Sequence, residues 1–282
     1  MMLSAAALAV AFLMDPYDQF IAYTRAELAR SGMERVQFGE NVYWRGGSGP
    51  VLVLLHGAND QAGTWSPVTA TLVKSYRVIA PDLSGHGESG PAEGPVAMSR
   101  MVGELHAILD REHIECATLA GNSMGGWVAM LYALEHPGRV DRLVLEDASG
   151  MIWPLTVPLV ANDRDAAMKI MHAVHGPTAP VPEWTIDALM SRAGSSPMLR
   201  VGQAGVLQYL LDNRLGDLNV PATLIWGAND GVLPVAYAEA LQKKIKRSEL
   251  FVIDDAAHIP HRQQPERFLE CLSKSSSPSA RD

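Results

Sequence analysis

Apolar residues in this chain gather into short unbroken runs, with stretches of helical spacing between them. Val51-Leu52-Val53-Leu54-Leu55 is such a run, and Arg77–Ala80, Ala117–Ala120, Leu143–Leu145, Ala222–Trp226 and Leu250–Ile253 repeat it. A strand that is apolar on successive residues is covered on both faces, the signature of a parallel sheet. Val96–Glu112, Met124–His136, Val235–Lys244 and Pro265–Ser273 lie between or after the runs and carry helical periodicity. Strands that alternate with helices predict right-handed βαβ crossovers and a sheet flanked on both sides. Two shorter strands, Arg35–Phe38 and Asn41–Trp44, come first and flank Gly39-Glu40 as a hairpin.

The rhythm breaks once. From Ser149 to Val220 the pattern offers helix-like pieces at Asp163–His175, Trp184–Arg192 and Met198–Arg214, divided by proline-rich turns. A structureless loop of that length is rare in a compact domain, so residues 149–220 are predicted to form an inserted helical lid. The core is then 34–148 with 221–273, preceded by a helical segment over 1–33 and followed by a disordered polar tail, 274–282.

The leading segment is unusual. Leu3 to Met14 is apolar throughout, but twelve residues are too few to cross a bilayer as a helix, which takes about 20. The first basic residue is Arg25, so the run lacks the positive start of a secretory signal and is expected to stay uncleaved. Asp15-Pro16 then reads as a helix cap, and Tyr17, Phe20, Ile21, Thr24 and Leu28 follow at helical spacing up to Gly32. This predicts an amphipathic helix docked on the body of a cytoplasmic protein, with peripheral membrane contact as the sharper alternative.

Composition narrows the classes without naming a chemistry. With 31 acidic against 23 basic side chains the net charge is −8, which argues against nucleic acid as a partner. The hydrophobic share is 48% and the charged share 19%, a globular balance. Cys116 and Cys271 make no disulfide framework and have no neighbour at metal-ligand spacing.

Gly121-Asn122-Ser123-Met124-Gly125 fits G-x-S-x-G. The pentad is weak alone, but here it follows an apolar strand and opens a helix, the context of a nucleophile elbow. The turn is expected to strain Ser123 and to exclude side chains at positions 121 and 125. A serine hydroxyl needs a base to take its proton. His258 lies just past the last apolar strand, at the strand edge where open α/β sheets place ligands, and His261 is its local competitor. The base needs a carboxylate, and Asp230 and Asp147 both follow strands at that edge. Asp230, after a glycine-containing turn, gives the chain order Ser123, Asp230, His258, which is that of α/β-hydrolases.

With these residues the chain resembles the α/β-hydrolase superfamily over nearly its whole length, most of all bacterial carboxylesterases related to monoacylglycerol lipases. The likeness rests on His56-Gly57, on Ala80-Pro81-Asp82-Leu83-Ser84-Gly85-His86-Gly87-Glu88-Ser89, on the elbow with Gly126, on Gly227-x-x-Asp230 and on His258. It implies an α/β-hydrolase fold with the lid after the sixth strand, and a Ser123–Asp230–His258 triad. It also implies an oxyanion hole made by the backbone N–H groups of Ala58 and Met124. His56 and His86 are expected to shape loops, and Asn122 to pack. No metal or cofactor is expected, since His258-x-x-His261 has no third ligand at closing distance.

Serine at 123 excludes relatives with an aspartate nucleophile. The lid is rich in methionine and large apolar residues, among which Trp153, Met171 and Trp184 are candidate substrate contacts. The expected substrate is a small-molecule carboxylic ester with an apolar acyl group. Carbon–carbon bond hydrolases of the meta-cleavage type share the elbow, but His56–Gln61 is not their glycine-rich loop and Ile259 stands where they tend to carry Trp. A ligand receptor on a hydrolase scaffold is the third reading.

Overall fold

The computed structural model describes residues 14–274. The apolar lead up to residue 13 and the tail from 275 lie outside the described residues. Eight strands form one sheet in the order β1-β2-β4-β3-β5-β6-β7-β8. They are β1 Glu34–Phe38, β2 Asn41–Gly46, β3 Val51–Leu55, β4 Arg77–Pro81, β5 Ala117–Asn122, β6 Val140–Glu146, β7 Ala222–Gly227 and β8 Ser248–Ile253. The β1–β2 hairpin and its join to β4 are antiparallel, and every other pairing is parallel. This is the α/β architecture that the continuous apolar runs predicted.

Each run is apolar throughout because it feeds two cores. In β3, Val53 and Leu55 join the larger core, while Leu52 and Leu54 point into the smaller one on the opposite face. In β7, Leu224 and Trp226 lie on one side and Ile225 on the other. The helices are α1 Pro16–Arg30, α2 Ser66–Leu72, α3 Met98–Arg111, α4 Met124–Glu135, α5 Arg164–His175, α6 Glu183–Arg192, α7 Pro197–Gln203, α8 Val235–Lys244, α9 Pro260–Gln263 and α10 Pro265–Lys274. α3 buries Met98, Met101, Val102, Leu105, Ile108 and Leu109, a face at three- and four-residue spacing. At the start of α1, Asp15 accepts the Asp18 N–H at 3.0 Å with Pro16 in the first turn, as the sequence predicted. Among the described residues no helix is long and apolar enough to cross a membrane.

Between β6 and β7 the chain runs through α5, α6 and α7. α5 and α6 share a small core of their own around Ala161, Ala167 and Ile186. Met198–Arg214 is not one helical piece as its composition suggested. α7 ends at Gln203, Gly205 turns left-handed at φ 80°, and a 3₁₀ turn follows at Val206–Tyr209. α2 and α9 were not legible in the sequence, being seven and four residues long. β6 also begins three residues before its apolar run, at Val140, because Asp141 on its solvent-facing end is exposed.

Candidate active site

The chain turns from β5 into α4 at Ser123, which takes φ 51° and ψ −116°. A side chain held at positive φ costs on the order of 1–3 kcal/mol. Neighbouring backbone holds it in place. The Ser123 N–H donates to Glu146 O at 2.9 Å, and Ser123 O accepts the N–H groups of Gly126 and Ser149, both at 3.1 Å. A Cβ on Gly121 would stand 2.4 Å from the Gly125 carbonyl, and one on Gly125 would stand 2.1 Å from Leu55 O. Both glycines of the motif are therefore sterically required.

His258 and Asp230 reach the same edge from the ends of β8 and β7. His258 Nδ1 is 2.8 Å from Asp230 Oδ2, and both side chains are buried. Asp230 Oδ1 accepts the N–H groups of Val232 at 2.7 Å and Leu233 at 3.0 Å. A carboxylate only accepts, so the proton of the contact belongs to Nδ1, and Nε2 is left as the free base. Asn122 does more than pack: its Nδ2 donates to His258 O at 2.9 Å and ties the elbow to the histidine loop.

The other candidates are committed elsewhere. His261 Nδ1 lies 2.7 Å from Glu146 Oε2, its backbone N–H donates to Glu146 Oε1 at 2.7 Å, and its ring lies tilted against Trp65 with centroids 4.1 Å apart. His56 bonds Gly57 O through Nδ1 and accepts the Leu83 N–H at Nε2, so both nitrogens shape loops. His86 Nδ1 contacts Ser84 O at 3.0 Å. Burial, and secondarily the neighbouring His56, hold His86 down to about 3. Asp82 Oδ1 accepts the Ala62 N–H and its Oδ2 the Glu88 N–H, both at 2.7 Å, locking the segment that precedes Gly85-His86-Gly87.

Ala58 lies half-buried after His56-Gly57, and Met124 opens α4 where no preceding carbonyl can receive its N–H. Among the described residues neither N–H has an intramolecular acceptor. Asn59, next in the chain after Ala58, takes φ 60°, and its Oδ1 accepts the Met198 N–H at 3.0 Å.

No sequence signal marks how α5 grips the site. Ala173 O accepts the Gly231 N–H at 3.0 Å and Val174 O the His258 N–H at 3.1 Å. Gln263 bridges the same region, donating to His175 O and accepting the Ala257 N–H, both at 2.8 Å. Successive carbonyls at the C-terminal end of α5 thus hold the acid loop, the histidine and α9. The three lid candidates have other partners. Trp184 lies 5.9 Å from the Phe20 ring of α1, Trp153 sets its edge on Tyr237 at 5.3 Å, and Met171 joins the small core of α5 and α6.

Asp147, the rival acid, is fully buried at the end of β6 with φ 42°. One oxygen each of Asp147 and Asp230 and one nitrogen of His258 lie within 4.8 Å of one another. Such a set is close enough for a cation, but three N–H donors already bond the Asp230 carboxylate. The cluster is better described as a hydrogen-bonded acid–base group.

Comparison with known proteins identifies the family and the fold. A model of the alpha/beta hydrolase family matches residues 52–270. The chain is 31% identical to a pimeloyl-[acyl-carrier protein] methyl ester esterase of Aromatoleum aromaticum, over 77% of this chain and 94% of that one. It is 29% identical to a 2-hydroxymuconate semialdehyde hydrolase of a Pseudomonas strain, over 80% and 86%. Among solved structures, a bacterial membrane phospholipase A superposes with a TM-score of 0.80 at 26% identity, covering 97% of this chain and 96% of the other.

Proposed function

Since this chain belongs to the alpha/beta hydrolase family, we propose that it is a serine hydrolase of carboxylic esters with apolar acyl groups, acting through an acyl-enzyme. The observation that carries the reading is the 2.8 Å contact of His258 Nδ1 with Asp230 Oδ2, at the edge where Ser123 stands strained on its turn. Ser123 Oγ attacks the ester carbonyl while His258 Nε2 takes its proton, and Asp230 stabilises the imidazolium that results. The carbonyl oxygen becomes an oxyanion held by the N–H groups of Ala58 and Met124. As the tetrahedral intermediate collapses, Nε2 returns the proton to the leaving alkoxide and the acyl group stays on Ser123. Water, deprotonated by the same nitrogen, then releases the acid.

Residues 149–220 act as the lid over this edge. Their attachment supports that role, because α5 is bonded to the Asp230 and His258 loops and Asn59 to the start of α7. Likeness to a methyl ester esterase and to a phospholipase supports the ester class. Likeness to a semialdehyde hydrolase keeps carbon–carbon bond hydrolysis as the second reading. A panel of short p-nitrophenyl esters tests the first reading, with fluorophosphonate labelling mapped to Ser123. Turnover should fall at least about 1000-fold in Ser123→Ala with the fold retained. Hydrolysis of a vinylogous 1,5-diketone with ester turnover absent would transfer the assignment to the second reading.

A further inference from the structure

Acyl transfer as described leaves one group at the site without a task, the carboxyl of Asp147. It is fully buried. Its Oδ1 accepts the Gly227 N–H at 3.1 Å, and its Oδ2 has no hydrogen-bond partner among the described residues. A bare carboxylate oxygen out of water is expensive, and more so beside a second carboxylate. Asp230 is that neighbour, with an oxygen within 4.8 Å. We propose that Asp147 is a positioning residue that donates a hydrogen bond from its own carboxyl group to the Asp230 carboxylate, holding that group in place and tempering its pull on His258. This rests on the reading of Asp230 and His258 as acid and base.

The two carboxyls are unequally served, which decides where the charge sits. Asp230 receives three N–H donors, from Val232, Leu233 and His258, against the single Gly227 N–H that Asp147 receives. The charge therefore resides on Asp230 and the proton on Asp147, whose otherwise orphaned Oδ2 becomes the donor. The surroundings agree. Burial pushes the Asp147 carboxyl well above the usual carboxylate range, and the charges of Asp230 and Glu146 push it the same way. Glu146 is itself engaged by His261 of α9, so the groups facing Asp147 are Asp230 after β7, Glu146 on β6 and His258 after β8. The left-handed backbone suits an aspartate or asparagine better than most residues.

The midpoint of His258 titration, read by NMR from its ring proton, tests this without any substrate. Asp147→Asn keeps the backbone conformation, an acceptor for Gly227 and an N–H donor for Asp230, so the midpoint should stay within about 0.2 pH units of wild type. Asp147→Gly also tolerates φ 42° but removes the donor. The Asp230 carboxylate then holds the imidazolium more strongly, and the midpoint should rise by about half a unit or more. If Asp147 were instead ionised, both variants would remove a negative charge beside His258 and both midpoints would fall. A fall in both, or no change in either, overturns the proposal. Asp147→Ala serves as the removal variant if the glycine variant does not fold, with folding checked by circular dichroism. Absence of ester turnover in wild type would count against the function above and leave this comparison standing.

Discussion

At Asp230 and Asp147 the same residue type stands in different surroundings because its donors differ. Asp230 is saturated by backbone N–H groups and by His258, whereas Asp147 has one backbone donor and an orphaned oxygen. Kinetics should rank them accordingly. Asp230→Asn is expected to lower kcat by roughly 10³–10⁴, and Asp147→Asn by less than about tenfold. The opposite ranking would put the acid on β6. His86 makes a second case of environment overriding type. Burial holds it neutral, at about 3 rather than the ordinary value near 6.5. Between those values the unfolded chain binds a proton that the folded chain refuses, so stability falls as pH drops from about 6.5 toward 3, by up to about 1.4 kcal/mol per pH unit. Urea unfolding between pH 7 and 5 should show that slope reduced in His86→Asn. An equal slope in both proteins would place the proton uptake elsewhere.

Between elements, the site is held by bonds that run from strand ends to helices distant in sequence. β6 alone supplies the Glu146 carbonyl for the Ser123 N–H and the Glu146 carboxylate for His261 of α9. That carboxylate is buried, as is its histidine partner. Removing one member of such a pair leaves the other uncompensated, which costs about 3–5 kcal/mol. Glu146→Ala should therefore lose stability on that order in chemical unfolding. It should also loosen the turn that carries Ser123 more than an alanine elsewhere on β6 does. A loss below about 1 kcal/mol would mean that His261 finds another acceptor. α5 is the complementary support, with its last carbonyls on the loops of Gly231 and His258.

For the molecule as a whole, the stretch 149–220 joins the sheet edge of Asp230 and His258 to α1. α1 meets α6 through Phe20 against Trp184, and Arg192 lies 2.8 Å from Asp15 and over the Tyr17 ring. In the proposed role of a lid closed over that edge, it would exclude water and line an acyl path. Each methylene buried along that path contributes about 0.8 kcal/mol, roughly fourfold in kcat/KM when fully realised in the transition state. The value of kcat/KM should rise from acetyl to butyryl or hexanoyl esters and then level off or fall as the path fills. A flat series from acetyl to octanoyl would show that the insertion does not contact the acyl chain.

Local structure was legible from residues alone. Two-faced apolar runs gave β3 to β8, because a strand between two cores has no polar side to present. The elbow was readable because its glycines answer to clashes within a few residues and across to β3. Strand ends then narrowed the base and acid to His258 with Asp230 or Asp147. The tertiary structure decided what depends on register and on groups far apart in sequence. Glu146 and His261 are 115 residues apart and their pairing has no sequence signal, yet it engages the His261 ring. The same holds for the α5 carbonyls on His258 and for Trp184 on Phe20. Both aspartates arrive at the same edge, and only their packed surroundings tell them apart, with three N–H donors on Asp230 and one on Asp147: a protonation state belongs to an environment, and sequence supplies only the group.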